Sequence, residues 1–116
     1  IIPAILRKKN ELLMPFGVMG GHYQANGHAR FLSNFLDFGM DVQESIDFPR
    51  SFYENNLLKL EKGYSDSVAS ALQEKGHNVL RPAQPIGGAQ AIAFSMSTGN
   101  LMGGSDPRKD GCALGY

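Results

Sequence analysis

The chain opens on two apolar runs separated by a short polar one. "IIPAIL" and "ELLMPF" flank "RKKN", so the pattern predicts a hairpin pairing about Ile1 to Arg7 with Leu12 to Phe16, its turn at Lys9 and Asn10. Gly17, Gly20 and Gly21 then break the pattern and predict a sharp strand-to-helix turn. From Tyr23 to Phe38 the period lengthens. Ala25, Ala29, Leu32, Phe35 and Leu36 recur near helical spacing, Gly39 stands where a C-terminal cap belongs, and Gly27 weakens the pattern. Asp41 with Glu44 has the form of a capping box for a short second helix that Pro49 ends. Arg50 to Tyr53 and Leu57 to Leu60 read as extended. Ser65 is the expected N-cap of a third helix, Asp66 to Lys75, with Val68, Ala69 and Leu72 inward and Gly76 as its stop. Asn78 to Arg81 reads as a strand, "GGAQAIAFSMSTGNLMGGSDP" as a second hairpin with its tip at Ser97 to Asn100, and "RKDGCALGY" as a tail. Strands that come in hairpin pairs indicate an α+β fold with antiparallel sheets, and a doubly wound parallel sheet fits them poorly.

Composition narrows the function classes. A chain of 116 residues, 42% hydrophobic, is of single-domain size, and no repeat, low-complexity run or linker divides it. Eleven basic and eleven acidic residues cancel, which disfavours nucleic acid and anionic membranes as partners. No apolar run approaches the roughly 20 residues of a membrane span, and the start lacks the order of a signal peptide. Secretion stays open, as does the redox compartment, because Cys112 is the only cysteine. Ile1 is not a methionine and a strand pattern begins with it, so the chain is expected to be a piece of something longer.

Candidate chemistry is concentrated in "PFGVMGGHYQANGH", Pro15 to His28. Glycines at the mouth of a helix expose backbone N–H groups where the helix dipole is positive, which suits a resident anion or an oxyanion formed during acyl transfer. From spacing alone a ligand-free tight turn is the default reading, because a lone Gly-rich loop is a weak signal. His22 and His28 are six apart, not the spacing of a helical metal pair, and nothing calls for a metal or another cofactor. His77, directly after Gly76, suits a helix C-terminus. Asp106 and Arg108 read as a fixed charged turn or ion pair. Thr98, the only threonine, falls at a hairpin tip that offers neither base nor oxyanion site, no serine lies in a nucleophile elbow, and Cys112 has no activating neighbour. The chain by itself shows no complete catalytic set.

Together, "PFGVMGG", "LDFGMDVQESIDFPR", "LEKGYSDSVASALQEKGHNV", "GGAQAI" and "GGSDPRKDGCALGY" resemble the C-terminal part of the small subunit of gamma-glutamyltranspeptidases, which are N-terminal nucleophile hydrolases. The resemblance runs in order from Ile1 to Tyr116. It implies a four-layer α-β-β-α sandwich, formed when a precursor cleaves itself and frees a threonine amine at the start of the small subunit. That threonine, and the residues holding the donor's α-amino and α-carboxylate groups, lie upstream of this segment in the family pattern; Thr98 does not match it. The family's paired glycines match Gly20 and Gly21, whose N–H groups are thereby implied to face the tetrahedral oxyanion. The implied partners are the remainder of the small subunit, the large subunit, a small γ-glutamyl donor such as glutathione, and an amino acid or water as acceptor. Family members are often periplasmic or secreted; the compartment here is unassigned.

One departure matters. Typical transpeptidases have Gly-Ser-Pro-Gly-Gly where this chain has Gly17-Val18-Met19-Gly20-Gly21, a form that resembles a transpeptidase-like branch close to cephalosporin and glutaryl acylases. Val18 and Met19 make the loop more apolar, which serves either packing against the helix or a different acyl group, with Met19 the candidate substrate contact. The alternatives to a γ-glutamyl enzyme segment are therefore an acylase segment, a noncatalytic anion-binding module and a structural remnant. Asp106 and Arg108 are expected to pin the last strand and tail near the loop glycines. The segment alone, lacking its nucleophile, is expected to be inactive.

Overall fold

The computed structural model describes residues 2–115, so the parts of the readings above that rest on Ile1 and Tyr116 lie outside the described residues. The chain divides into two compact units. The first comprises the described residues up to Asp47 and from Gly87 onward. It holds β1 (Ile2–Lys8), β2 (Glu11–Met19), a 3₁₀ turn (Gly21–Tyr23), α1 (Gln24–Leu36) and α2 (Val42–Asp47). The second comprises Phe48–Ile86 and holds β3 (Ser51–Glu54), β4 (Leu57–Leu60), α3 (Asp66–Glu74) and β5 (Val79–Leu80). The chain then returns to the first unit as β6 (Gly88–Phe94) and β7 (Leu101–Ser105).

The first unit is an antiparallel sheet in the order β1-β2-β6-β7, built from the two expected hairpins, with β2 and β6 joined through Phe16–Ala91 to Met19–Gly88. Strand alternation sends Met14, Phe16, Val18, Ala89, Ala91 and Ala93 to one face, where they are buried with Tyr23, Phe31, Val42 and Ile46. Burying each large side chain in that set contributes about 1.5–3 kcal/mol. On the other face Ile5 is 64% exposed, Ile92 45% and Leu101 61%. The tail crosses part of this face: added Cβ atoms on Gly88 and Gly103 would lie 2.7 Å from the Lys109 side chain and 3.1 Å from Ala113. β2 does not break at Gly17 but runs on to Met19, since Gly17 pairs with Pro3 on one side and Gln90 on the other.

Helix α1 forms where periodicity placed it, but with a different face inward. Tyr23, Gly27, Phe31 and Asn34 are buried, whereas Ala25, Ala29 and Leu36 are exposed and Leu32 and Phe35 half-buried. The reason is steric: a Cβ on Gly27 would stand 2.5 Å from Val18 Cγ1, so the bare glycine lets the helix lie directly on β2. Gly39 exits with φ +67°. The capping box of α2 closes both ways, Glu44 N–H donating to Asp41 Oδ1 at 2.8 Å and Asp41 N–H to Glu44 Oε2 at 3.0 Å.

In the second unit, Asn55 and Asn56 both take positive φ and turn β3 into β4. The β5 strand joins β4 in parallel, the one parallel pairing among the described residues. Ser65 caps α3, accepting the Val68 N–H at 3.3 Å, and His77 N–H returns to the Leu72 carbonyl past Gly76 in a Schellman closure. The inward set expected for α3 does not bury: Val68 is 42% exposed, and Ala69 and Leu72 are half-buried. Glu61 accepts the N–H groups of Arg50 and Ile86, both at 2.9 Å, tying the start of this unit to its end.

Candidate functional site

The turn between β2 and α1 is shaped by crowding on one side and space on the other. Gly20 has φ +138°, and a Cβ there would stand 2.9 Å from the Gly87 Cα and 3.4 Å from the Tyr23 ring. Gly21 has φ +58°, yet a Cβ there would meet nothing within 4 Å. Conformation and contact both require the first glycine; only conformation requires the second, whose outer side looks into open space. The Tyr23 N–H donates to the Gly20 carbonyl at 3.1 Å, and the Gln24 N–H to the Gly21 carbonyl, so the pair leads straight into the 3₁₀ turn and α1. The mouth of a helix carries positive potential from its aligned peptide dipoles.

Tyr23, 3% exposed, is the wedge that sets this turn. Added Cβ atoms on Gly27 and Gly87 would come within 2.7 and 2.8 Å of its ring, so with Gly20 three glycines make room for one aromatic side chain. Sequence reading passed over Tyr23 and Gly87, although a glycine four residues after an aromatic residue was a visible sign. The dipeptide before the glycines splits between faces: Val18 is 1% exposed and packs on α1, whereas Met19 is 37% exposed on the opposite side of β2.

Asp106 and Arg108 lie behind the same strands. Asp106 is fully buried just past β7; its Oδ2 accepts the Ala89 N–H at 2.7 Å, and its Oδ1 accepts the Arg108 N–H at 3.0 Å and Nη1 at 3.2 Å. Arg108 continues to the C-terminal end of α2, donating to the carbonyls of Ile46 at 3.0 Å and Asp47 at 3.2 Å. Gln43 of α2 closes the edge of β7, its amide donating to and accepting from the Ser105 backbone at 2.9 and 3.0 Å. Because Ala89 pairs with Val18, this buried brace ends two residues from Gly20.

Other residues singled out by sequence lie apart from the turn or do something else. Thr98 Oγ1 is engaged within the β6–β7 turn, donating to Ser95 Oγ at 2.8 Å. Cys112 is exposed in the tail. His22 is exposed, whereas His28 points its Nε2 at the Val18 N–H. Among the described residues no cluster of three or more His, Cys, Asp or Glu could hold a metal, and no helix is long and apolar enough to cross a membrane. A groove of about 650 Å³ lined by Ile92, Gly103 and Leu114 lies toward the β6–β7 tip, at the other end of β6 from Gly88.

Comparison with known proteins supplies the context for this turn. The sequence profile of the family described as gamma-glutamyltranspeptidase matches residues 1–116. The chain is 34% identical over 109 residues to the acylase ACY 1 proenzyme of Pseudomonas sp. (strain V22), covering 94% of this chain and 19% of that protein. It is 30% identical over 123 residues to the glutathione hydrolase-like YwrD proenzyme of Bacillus subtilis (strain 168), covering 99% of this chain and 23% of that protein. Among solved structures, the cephalosporin acylase of Bacillus halodurans superposes with a TM-score of 0.88 at 35% identity, covering all of this chain and 23% of the acylase chain. The α+β fold is that of N-terminal nucleophile hydrolases, and the chain spans about a fifth of the length of the curated relatives it matches.

Proposed function

This chain belongs to the gamma-glutamyltranspeptidase family, and from that premise we propose that it is the oxyanion-bearing segment of an amide-cleaving acyl enzyme. The supporting observation is the Gly20–Gly21 turn, held from behind by Tyr23 and open in front of Gly21. The reaction begins at a threonine upstream of this segment. Its hydroxyl oxygen attacks the donor's amide carbonyl while the threonine's own amine takes the hydroxyl proton. The carbonyl oxygen becomes an oxyanion, and the N–H groups of Gly20 and Gly21 stabilise it. Collapse breaks the C–N bond, the leaving amine takes up the proton, and the resulting acyl ester is released to water or to an amino-acid amine.

A side chain at Gly20 would collide with Gly87, and one at Gly21 would strain the backbone and re-aim the donors, which explains why the turn is bare. Asp106 and Arg108 serve architecture in this scheme, fixing the strands behind the turn. The donor is a γ-glutamyl amide, with a glutaryl-type amide as the second reading; Gly17-Val18-Met19-Gly20-Gly21 and the identity to two acylases favour keeping it. The two donors differ in the α-amino group, so they separate the readings.

The test is to mature the complete precursor and measure turnover of a γ-glutamyl anilide and a glutaryl anilide beside residues 1–116 alone. Turnover by the processed protein with none by the segment is expected, and the faster donor names the acyl class. Appreciable turnover by the segment alone, or no acyl ester with either donor on the matured protein, contradicts the proposal.

A further inference from the structure

The His28 imidazole sits beneath the end of β2, four residues into the helix that follows the glycine turn. Its Nε2 lies 3.1 Å from the backbone nitrogen of Val18. A backbone N–H can only donate, so this nitrogen is the acceptor and the ring proton of the neutral imidazole is on Nδ1. The ring is set by packing: it meets Phe16 edge-on at 5.1 Å, and Phe16 stacks on Phe31 of α1 at 5.3 Å.

Strand pairing shows where that N–H points. In an antiparallel ladder a residue's N–H and C=O point to the same neighbour. Both groups of Ala89, which is paired with Val18, are directed at Asp106: the N–H donates to its carboxylate at 2.7 Å and the C=O accepts its N–H at 3.1 Å. The Val18 N–H therefore faces the β1 side and its pairing partner there, Ile2, with which the described ladder ends. His28 Nε2 meets the same N–H from α1 and reinforces this end of the ladder, two residues before Gly20.

We propose that His28 is a positioning residue for the reaction: its neutral Nε2 fixes the Val18 backbone and so holds the Gly20–Gly21 turn in register with α1. The inference rests on the reading of that turn as the oxyanion site. His28 touches no reacting atom. Because small displacements of catalytic groups cost rate steeply, its loss falls on kcat and spares KM.

The experiment uses the complete, processed enzyme with His28→Leu, which removes the acceptor, His28→Gln, which puts an amide oxygen near the Nε2 position, and His28→Asn, which puts one near Nδ1. Hydrogen exchange of the peptide spanning 16–20 is read beside steady-state kinetics and a thermal melt. The expected result for His28→Leu is faster exchange at Val18 and a kcat lower by roughly 10- to 100-fold with KM within about threefold, and His28→Gln restores both. Unchanged exchange overturns the proposal. So does faster exchange with normal kcat. If His28→Leu fails to fold, Gln must still outperform Asn; equal or reversed activities overturn the proposal. A Gly21→Ala control separates the two readings: if it impairs acylation while His28→Leu does not, only the positioning role fails, and if neither impairs it, the oxyanion reading fails as well.

Discussion

Single residues decide the geometry of this site more than their type suggests. Gly27 lies inside a helix, where glycine costs about 0.5–1 kcal/mol relative to alanine, so propensity alone recommends replacing it. Contact argues the other way. A methyl group there would fall 2.5 Å from Val18 Cγ1 and 2.7 Å from Tyr23 Cε1, and overpacking of that kind costs about 1–3 kcal/mol. Gly27→Ala in the complete enzyme is therefore expected to lower the melting temperature by about 2–4 °C; a rise would mean that helix and strand separate easily. From the sequence, Gly27 was legible only as a blemish in a helical pattern. Its reason is a contact with a strand nine residues earlier, which no local period records. His28 escaped for the same cause: six-residue spacing argues against a metal pair but says nothing about a backbone N–H across the turn.

At the level of elements, local signals were read well and faces were not. The capping box of α2, the caps of α3 and both hairpins of the first unit depend on neighbours within a few residues, and the sequence displays them. The inward face of α1 depends on where β2 lies, and in the described structure Ala25, Ala29 and Leu36 are left outward. The tail after β7 is an element of a similar kind, held by the Asp106 carboxylate between β6 and the end of α2. Removing that carboxylate leaves the Ala89 N–H and the Arg108 guanidinium without their buried acceptor, at about 3–5 kcal/mol. Asp106→Ala is accordingly expected to impair folding or maturation of the precursor, seen as loss of processed subunits on a gel. Normal maturation with lost turnover would move Asp106 into the chemistry.

At the scale of the molecule, the chain spans about a fifth of its curated relatives' length. The sheet of the first unit is covered on one face, while the other presents Ile5, Ile92 and Leu101, the kind of face on which a second sheet packs in a sandwich. Family and fold were legible from motifs spread over the chain; donor choice was not, because the apolar Val18 and Met19 suit packing and a different acyl group alike. The central claim is that Gly20 and Gly21 stabilise a transient oxyanion. Gly20 is a poor probe, since a Cβ there collides with Gly87, but at Gly21 a Cβ enters open space and the backbone strain of about 1–2 kcal/mol is readable in a melt. The decisive measurement is single-turnover acylation of the complete, processed Gly21→Ala enzyme by a γ-glutamyl anilide. Acylation slowed by about 10²–10³ with a nearly unchanged donor Kd and an intact fold is the predicted result; near-normal acylation by an intact fold would contradict the oxyanion assignment.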